Sequence, residues 1–143
     1  MIRPATVDDI AAIVGMVWAY QREVRPDLKM HAGCTASSVR RIIQQPQGCA
    51  IVADDGPPRG VLLAQMANSL WWPDPSAQVV LWWVAPELRG SRAASAMMDS
   101  FEGWAVSLGA ARIGANFTGK SARKYFERRG YRYADTSMMK DLT

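Results

Sequence analysis

Apolar residues recur along this chain in two periods, and the switches between them mark out its elements. Ile10, Ile13, Val14 and Val17, with Trp18, fall at helical intervals and predict a helix that follows Thr6-Val7-Asp8-Asp9 and ends before Pro26. Thr6 offers an N-cap hydroxyl, and Asp8 and Asp9 place negative charge at the positive end of the helix dipole. A second helix is predicted over Ser37 to Gln45, with Val39, Ile42 and Ile43 inward and Arg40 and Arg41 outward, ended by Pro46 and Gly48. The period then shortens: Cys49 to Ala53 and Gly60 to Ala67 read as strands joined by the turn Asp54-Asp55-Gly56-Pro57-Pro58. Ser69 to Ser76, with its prolines, reads as a loop.

Val79-Val80-Leu81-Trp82-Trp83-Val84 is β-branched and aromatic, the composition of a strand covered on both faces. After it, Ala94, Met97, Met98, Phe101, Trp104, Ala105 and Leu108 mark one face of a long helix closed by Gly109. Ala111 to Phe117 predicts a fifth strand, Ser121 to Arg129 a short helix stopped by Gly130, and Tyr131 to Lys140 a final strand. With Ile2 to Ala5 as the first strand, the order β-α-α-β-β-β-α-β-α-β predicts a mixed α/β fold around one twisted sheet.

Composition narrows the function classes. A chain of 143 residues with 49% hydrophobic content suits one domain, residues 1–143, with a proper core. No apolar run approaches a membrane span and the N-terminus lacks a signal-peptide pattern, so a soluble, cytoplasmic protein without a membrane partner is expected. Cys34 and Cys49 fit no metal-ligand spacing and read as reduced thiols, with no metal. The net charge of +4 conceals a basic cluster of Lys120, Arg123, Lys124, Arg128, Arg129 and Arg132. Such a cluster suits a nucleotide or nucleic acid, and equally a solvated helix face.

The junction after the central strand carries the chemistry. Val84-Ala85-Pro86-Glu87-Leu88-Arg89-Gly90-Ser91-Arg92-Ala93-Ala94 runs from a strand into a helix N-terminus, where unpaired N–H groups and the helix dipole form an anion site. The segment resembles the acyl-CoA-binding motif of the GCN5-related N-acetyltransferases (GNAT), Gln/Arg-x-x-Gly-x-Gly/Ala after a Val-x-Pro strand end. Arg89 fits the first position and Ala94 the last, while Arg92 replaces the central glycine with a guanidinium able to pair with phosphate oxygens. The resemblance implies a GNAT-like fold and acetyl-CoA as cofactor. It further implies a diphosphate held by Arg89, Gly90, Ser91, Arg92, Ala93 and Ala94, with main-chain bonds from Trp82 and Val84 to the pantetheine arm. Asn116 is similar to the family's asparagine near that arm, although it lies three residues early. The spacing of Arg-Gly and Arg-Ala-Ala, with Phe101 and Trp104, is also similar to small acetyltransferase-like proteins of tailed bacteriophages.

Acetyl transfer to an amine needs a positioned thioester, a base for the ammonium and an acid for the departing thiolate. By resemblance the acid is a tyrosine four residues before the Gly130-Tyr131 pair, a position held here by Phe126, with Tyr125 one residue earlier; both aromatics also have the spacing of simple packing. Tyr125 is the candidate acid. The family's glutamate on the central strand has no counterpart between Gln78 and Val84, leaving Glu23, His31 and Asp74, or a water chain, as base. Trp71 and Trp72 are surface candidates for an apolar acceptor, a stacked base or a homodimer contact. The resulting expectation is an acetyl-CoA-dependent N-acetyltransferase acting on a primary amine of a small molecule, peptide or protein. Phe126, Arg92 and the missing carboxylate motivate the alternative, a catalytically weak acyl-CoA-binding module acting on nucleic acid or host machinery.

Overall fold

Five strands lie side by side in chain order, and the way the fourth parts from the fifth positions everything that follows. The computed structural model describes every residue except Asp55, Gly119 and Thr143, so Asp55 of the expected turn lies outside the described residues. Strand β1 spans Ile2–Pro4 and, after a 3-10 turn at Val7–Asp9, helix α1 spans Ile10–Val24 and α2 Ala32–Gln44. Strands β2 (Gly48–Asp54), β3 (Pro58–Ala67) and β4 (Ser76–Val84) form an antiparallel meander. A 3-10 turn at Pro86–Leu88 leads to α3 (Arg92–Ser107), then β5 (Arg112–Ala115), parallel to β4, and α4 (Lys120–Arg128).

Helix entries follow local chemistry. The Asp9 carboxylate accepts from the Thr6 N–H at 2.8 Å and from the Arg3 guanidinium at 2.7 and 2.9 Å, joining the start of α1 to β1. Helix α2 begins five residues before its expected start because His31 caps it, its Nδ1 accepting from the Cys34 N–H at 3.0 Å. Gly130, at φ +90°, ends α4, and the Tyr131 N–H returns to the Phe126 carbonyl.

Two cores sandwich the sheet. On one face α3 and α4 bury Met97, Met98, Phe101, Ala105 and Phe126 against Ile51, Leu62, Ala64 and Val79. On the other, Ile10, Ile13 and Met16 of α1 and Val39 and Ile42 of α2 pack on Val52, Val61, Leu63 and Leu81. A register shift sits between these sets: Leu63 pairs with Leu81 but Ala64 with Val79, so Val80 is an unmatched bulge residue. The bulge reverses which side of the sheet each later side chain faces. Ala77 and Val79 face α3, Leu81 and Trp83 face α1, and Trp82 and Val84 face α3 again.

Two expectations are corrected. Strand β4 is not covered on both faces, since Gln78 is exposed and Val80 is 51% exposed. Among the described residues the final strand does not form: the Tyr131 hydroxyl donates to Glu102 Oε1 at 3.0 Å, holding that residue on α3, and residues 132–142 are exposed with no strand pairing.

Candidate functional site

The bulge opens the site. Pairing between β4 and β5 runs from Ser76 with Arg112 to Val79 with Ala115 and stops there, one residue before Val80. Beyond it β4 continues with β3 alone. The Ala85 N–H donates to the Arg59 carbonyl at 2.7 Å, and antiparallel bonding alternates, so Leu81 and Trp83 use their peptide groups on β3. The peptide groups of Trp82 and Val84 therefore turn outward, into the gap that β5 has left. One of them is occupied: Arg89 Nε donates to the Val84 carbonyl at 3.2 Å.

At the far end of this gap the chain turns into α3. Gly90 adopts φ +75°, a conformation that favours glycine, and Ser91 caps the helix by accepting from the Ala94 N–H at 3.4 Å. Ser91 and Arg89 use their own N–H groups within the turn. Among the described residues nothing accepts from the N–H of Gly90, Arg92 or Ala93. Gly90 and Arg92 are exposed and Ala93 half-buried, so three donors stand open at the positive end of a 16-residue helix. Among the described residues, nothing lies within 4 Å of where a Cβ on Gly90 would stand. Glu87, the nearby carboxylate, is paired with Arg59.

Two buried polar atoms flank the gap without partners among the described residues: the Trp82 indole nitrogen and the Tyr125 hydroxyl. Their rings lie 5.4 Å apart at 48°, and Tyr125 also packs on Phe126 at 5.6 Å and beneath the Arg129 guanidinium at 5.8 Å. Unsatisfied buried polar groups are rare in native proteins, and two together point to a ligand that completes them. Phe126 instead is buried in the core, ringed by Phe117, Tyr131 and Trp82. Asn116 is exposed, one residue past β5 on the opposite bank of the gap. The residues present fit an acyl-CoA: a donor cradle for a diphosphate, outward peptide groups for an amide-bearing arm, and orphaned donors beside it.

The candidate bases are otherwise engaged or remote. Glu23 accepts from the Trp83 indole at 3.1 Å and from Arg89 at 2.8 and 2.9 Å. Desolvation raises its pKa, yet those hydrogen bonds outweigh it and hold the carboxyl below its ordinary value. His31 is committed to capping α2 and Asp74 lies exposed in the β3–β4 loop. Sequence reasoning missed this Glu23–Trp83–Arg89 cluster, because residues 60 and 66 positions apart leave no local signal. The basic cluster also divides: Arg129 bonds to Asp99 and Glu102, and Arg123 to Glu127, so both serve the fold. Concavities of about 260 Å³ around Met66 and Leu108, and about 230 Å³ around Cys49 and Trp104, lie away from the gap. Among the described residues no helix is long and apolar enough to cross a membrane, and no His/Cys/Asp/Glu group is arranged to hold a metal.

Comparison with known proteins supplies the family. The sequence pattern of the Acetyltransferase (GNAT) family matches residues 8–131. A transcriptional regulator from Bacillus halodurans C-125 superposes with a TM-score of 0.80 at 19% identity, covering 99% of both chains. An integron cassette protein from the mobile metagenome of Cole Harbour Salt Marsh gives 0.82 at 14% identity, covering 99% of this chain and 90% of that one. The ribosomal-protein-alanine N-acetyltransferase of Brucella melitensis biovar Abortus 2308 gives 0.74 at 17% identity, covering 99% of both. At such identities the likeness is one of fold. No curated protein matches the chain in sequence, and the finer likeness to bacteriophage proteins finds no support among these matches. With the family pattern spanning most of its length, the chain belongs to the GNAT acetyltransferase family.

Proposed function

We propose that this protein is an acetyl-CoA-dependent N-acetyltransferase that acetylates a primary amine. The observation that carries the reading is the gap itself: open N–H groups at its mouth, outward peptide groups along one wall, and two orphaned buried donors within. In this reading Gly90, Arg92 and Ala93 donate main-chain N–H groups to phosphate oxygens. The Arg92 guanidinium replaces the close backbone approach that a glycine would allow with charge-assisted pairing. Arg89, Ser91 and Ala94 shape the cradle, Arg89 through Glu23 and Val84 and the other two through the cap. Trp82 and the N–H side of Val84 hold the pantetheine arm, with Asn116 on the facing bank.

Bound acetyl-CoA supplies a reactive acetyl thioester. Tyr125 holds a proton on its hydroxyl for the departing sulfur, and the packing of Trp82 and Phe126 keeps water from that side. With no carboxylate between Gln78 and Val84, the ammonium proton leaves through solvent, so turnover rises with pH toward the amine's own pKa. The engaged state of Glu23 favours one competing reading, a domain that binds acyl-CoA without efficient transfer.

Thermal melting with acetyl-CoA tests the first part: ligand at a hundredfold excess over its dissociation constant stabilises by about 2.7 kcal/mol. Absence of a shift at millimolar ligand contradicts it. Thiol release with a broad amine panel tests the second, and stabilisation without turnover on any amine favours the binding-only reading.

A further inference from the structure

The sheet face opposite α3 is left bare beside the bulge. Gln65 pairs with Gln78 across β3 and β4, and Gln78 with Gly114 across β4 and β5, so these three form one row. Strand alternation places Arg112 on the same face as Gly114. Gln65, Gln78 and Arg112 are exposed, and α1 and α2 cover only the part of this face around Val52, Val61, Leu63 and Leu81. The Gln78 amide lies over Gly114 so closely that a Cβ there would meet its Nε2 at 2.5 Å. Above the row, Trp72 stacks on the Arg112 guanidinium, 5.5 Å from ring centroid to Cζ. The Ala111 N–H, bonded to the Pro75 carbonyl at 2.9 Å, fastens that loop to β5.

The charge on this platform is one-sided. Arg112 makes no ion pair among the described residues, although Asp74 is only two positions from Trp72. The row itself contains amides and no carboxylate. An arginine ordered against an indole and left without an anion is prepared for one from outside. The orphaned Trp82 and Tyr125 groups and the α3 N-terminus lie on the other side of the gap, so an amine reaching the thioester from across the sheet passes over this platform.

From the proposed acetyl-transfer reading, on which this rests, we infer that the acceptor is a small amine carrying a carboxylate at its other end, bound by Arg112 over the Gln65–Gln78–Gly114 row. Arg112 stands three residues before Ala115, where the gap opens, about 10 Å along a strand at ~3.3 Å per residue. That separation selects an extended amino carboxylate with its amino group several bonds from the acid. The balance is simple: the amine nitrogen bonds to the acetyl carbon, the carbon–sulfur bond breaks, sulfur leaves with a proton, and the amine loses its own. Polyamines are disfavoured, since a second ammonium would lie on Arg112.

The test compares 6-aminohexanoate, 1,6-diaminohexane and hexylamine by thiol release at saturating acetyl-CoA, beside titration of 6-aminohexanoate into the coenzyme A complex by calorimetry. The expected result is kcat/KM about tenfold higher for 6-aminohexanoate than for the diamine, the scale of one charge-assisted contact. Arg112→Gln removes that preference and the calorimetric binding, while the melting shift with acetyl-CoA persists; Arg112→Glu reverses the preference. A diamine used as well as the amino acid, a preference that survives Arg112→Gln, or no turnover of any of the three beside an intact melting shift overturns the acceptor assignment and leaves the cofactor reading standing. Loss of the melting shift in the wild-type protein removes both.

Discussion

Replacing Tyr125 by phenylalanine separates fold from chemistry at one atom. The hydroxyl is buried and has no hydrogen-bond partner among the described residues, whereas every described contact of the side chain involves its ring: Trp82 at 5.4 Å, Phe126 at 5.6 Å and Arg129 at 5.8 Å. Leaving a buried hydroxyl unsatisfied costs about 1–3 kcal/mol, and substitution by a group of the same shape removes that cost. Tyr125→Phe is therefore expected to raise the unfolding free energy of the ligand-free protein by about 1 kcal/mol, or roughly 2–4 °C in Tm for a chain of this size. If the hydroxyl protonates the departing sulfur, the same change lowers kcat by about a hundredfold, the low end for a general acid. Calorimetric melting of the ligand-free protein and the decay of thioester absorbance at saturating acetyl-CoA read the two effects independently. A lower Tm with unchanged kcat refutes the reasoning on both counts, because the hydroxyl would then have a structural partner and no chemical task.

Three further outcomes follow from the fold. Hydrogen bonds from Arg3, then from the Thr6 N–H, hold the buried Asp9 carboxyl at about 2, below its ordinary value of 3.8. A depressed carboxyl stabilises the fold above its unfolded pKa and loses that contribution as pH falls through the folded one. Acid titration should thus show a loss of about 2 kcal/mol between pH 4 and 2, absent in Asp9→Asn. A Cβ on Gly48 would lie 2.0 Å from the Ile42 carbonyl oxygen, so Gly48→Ala, forced against helix backbone, is expected to lose about 2–3 kcal/mol in urea denaturation. Burial raises the Cys49 thiol to about 11, while Cys34 is exposed, so one thiol should react with Ellman's reagent in the native protein and two in denaturant.

How much of this was legible in the sequence depended on how local the signal was. The helices with continuous apolar faces emerged within a few residues of their expected ends, and the strand-to-helix junction at Val84–Ala94 stands where its sequence placed it. Features set by distant partners were not legible. The bulge at Val80 carries no glycine or proline, and it follows from how β3 and β4 must align two different cores. His31 caps α2 although histidine is an uncommon cap, so the helix began earlier than the usual Ser/Thr/Asp/Asn signal suggested. The expected strand after Tyr131 is absent among the described residues, where Tyr131 is instead held by Glu102 of α3, a partner 29 positions away. The ambiguity between Tyr125 and Phe126 could only be resolved in three dimensions. Neighbouring helical residues point about 100° apart at 3.6 residues per turn, and it is Phe126 that enters the core while the Tyr125 hydroxyl stays unpartnered beside Trp82.

The account depends on the open N–H groups between Arg89 and Ala94 receiving the cofactor's diphosphate. Titration of coenzyme A into ¹⁵N-labelled protein, followed through the amide resonances, tests that directly. The prediction is saturable downfield shifts of the Gly90, Arg92 and Ala93 amides, the largest in the protein, with a smaller response at Trp82 and Val84. Saturable binding that leaves those three amides unmoved, or no binding at all, would contradict it.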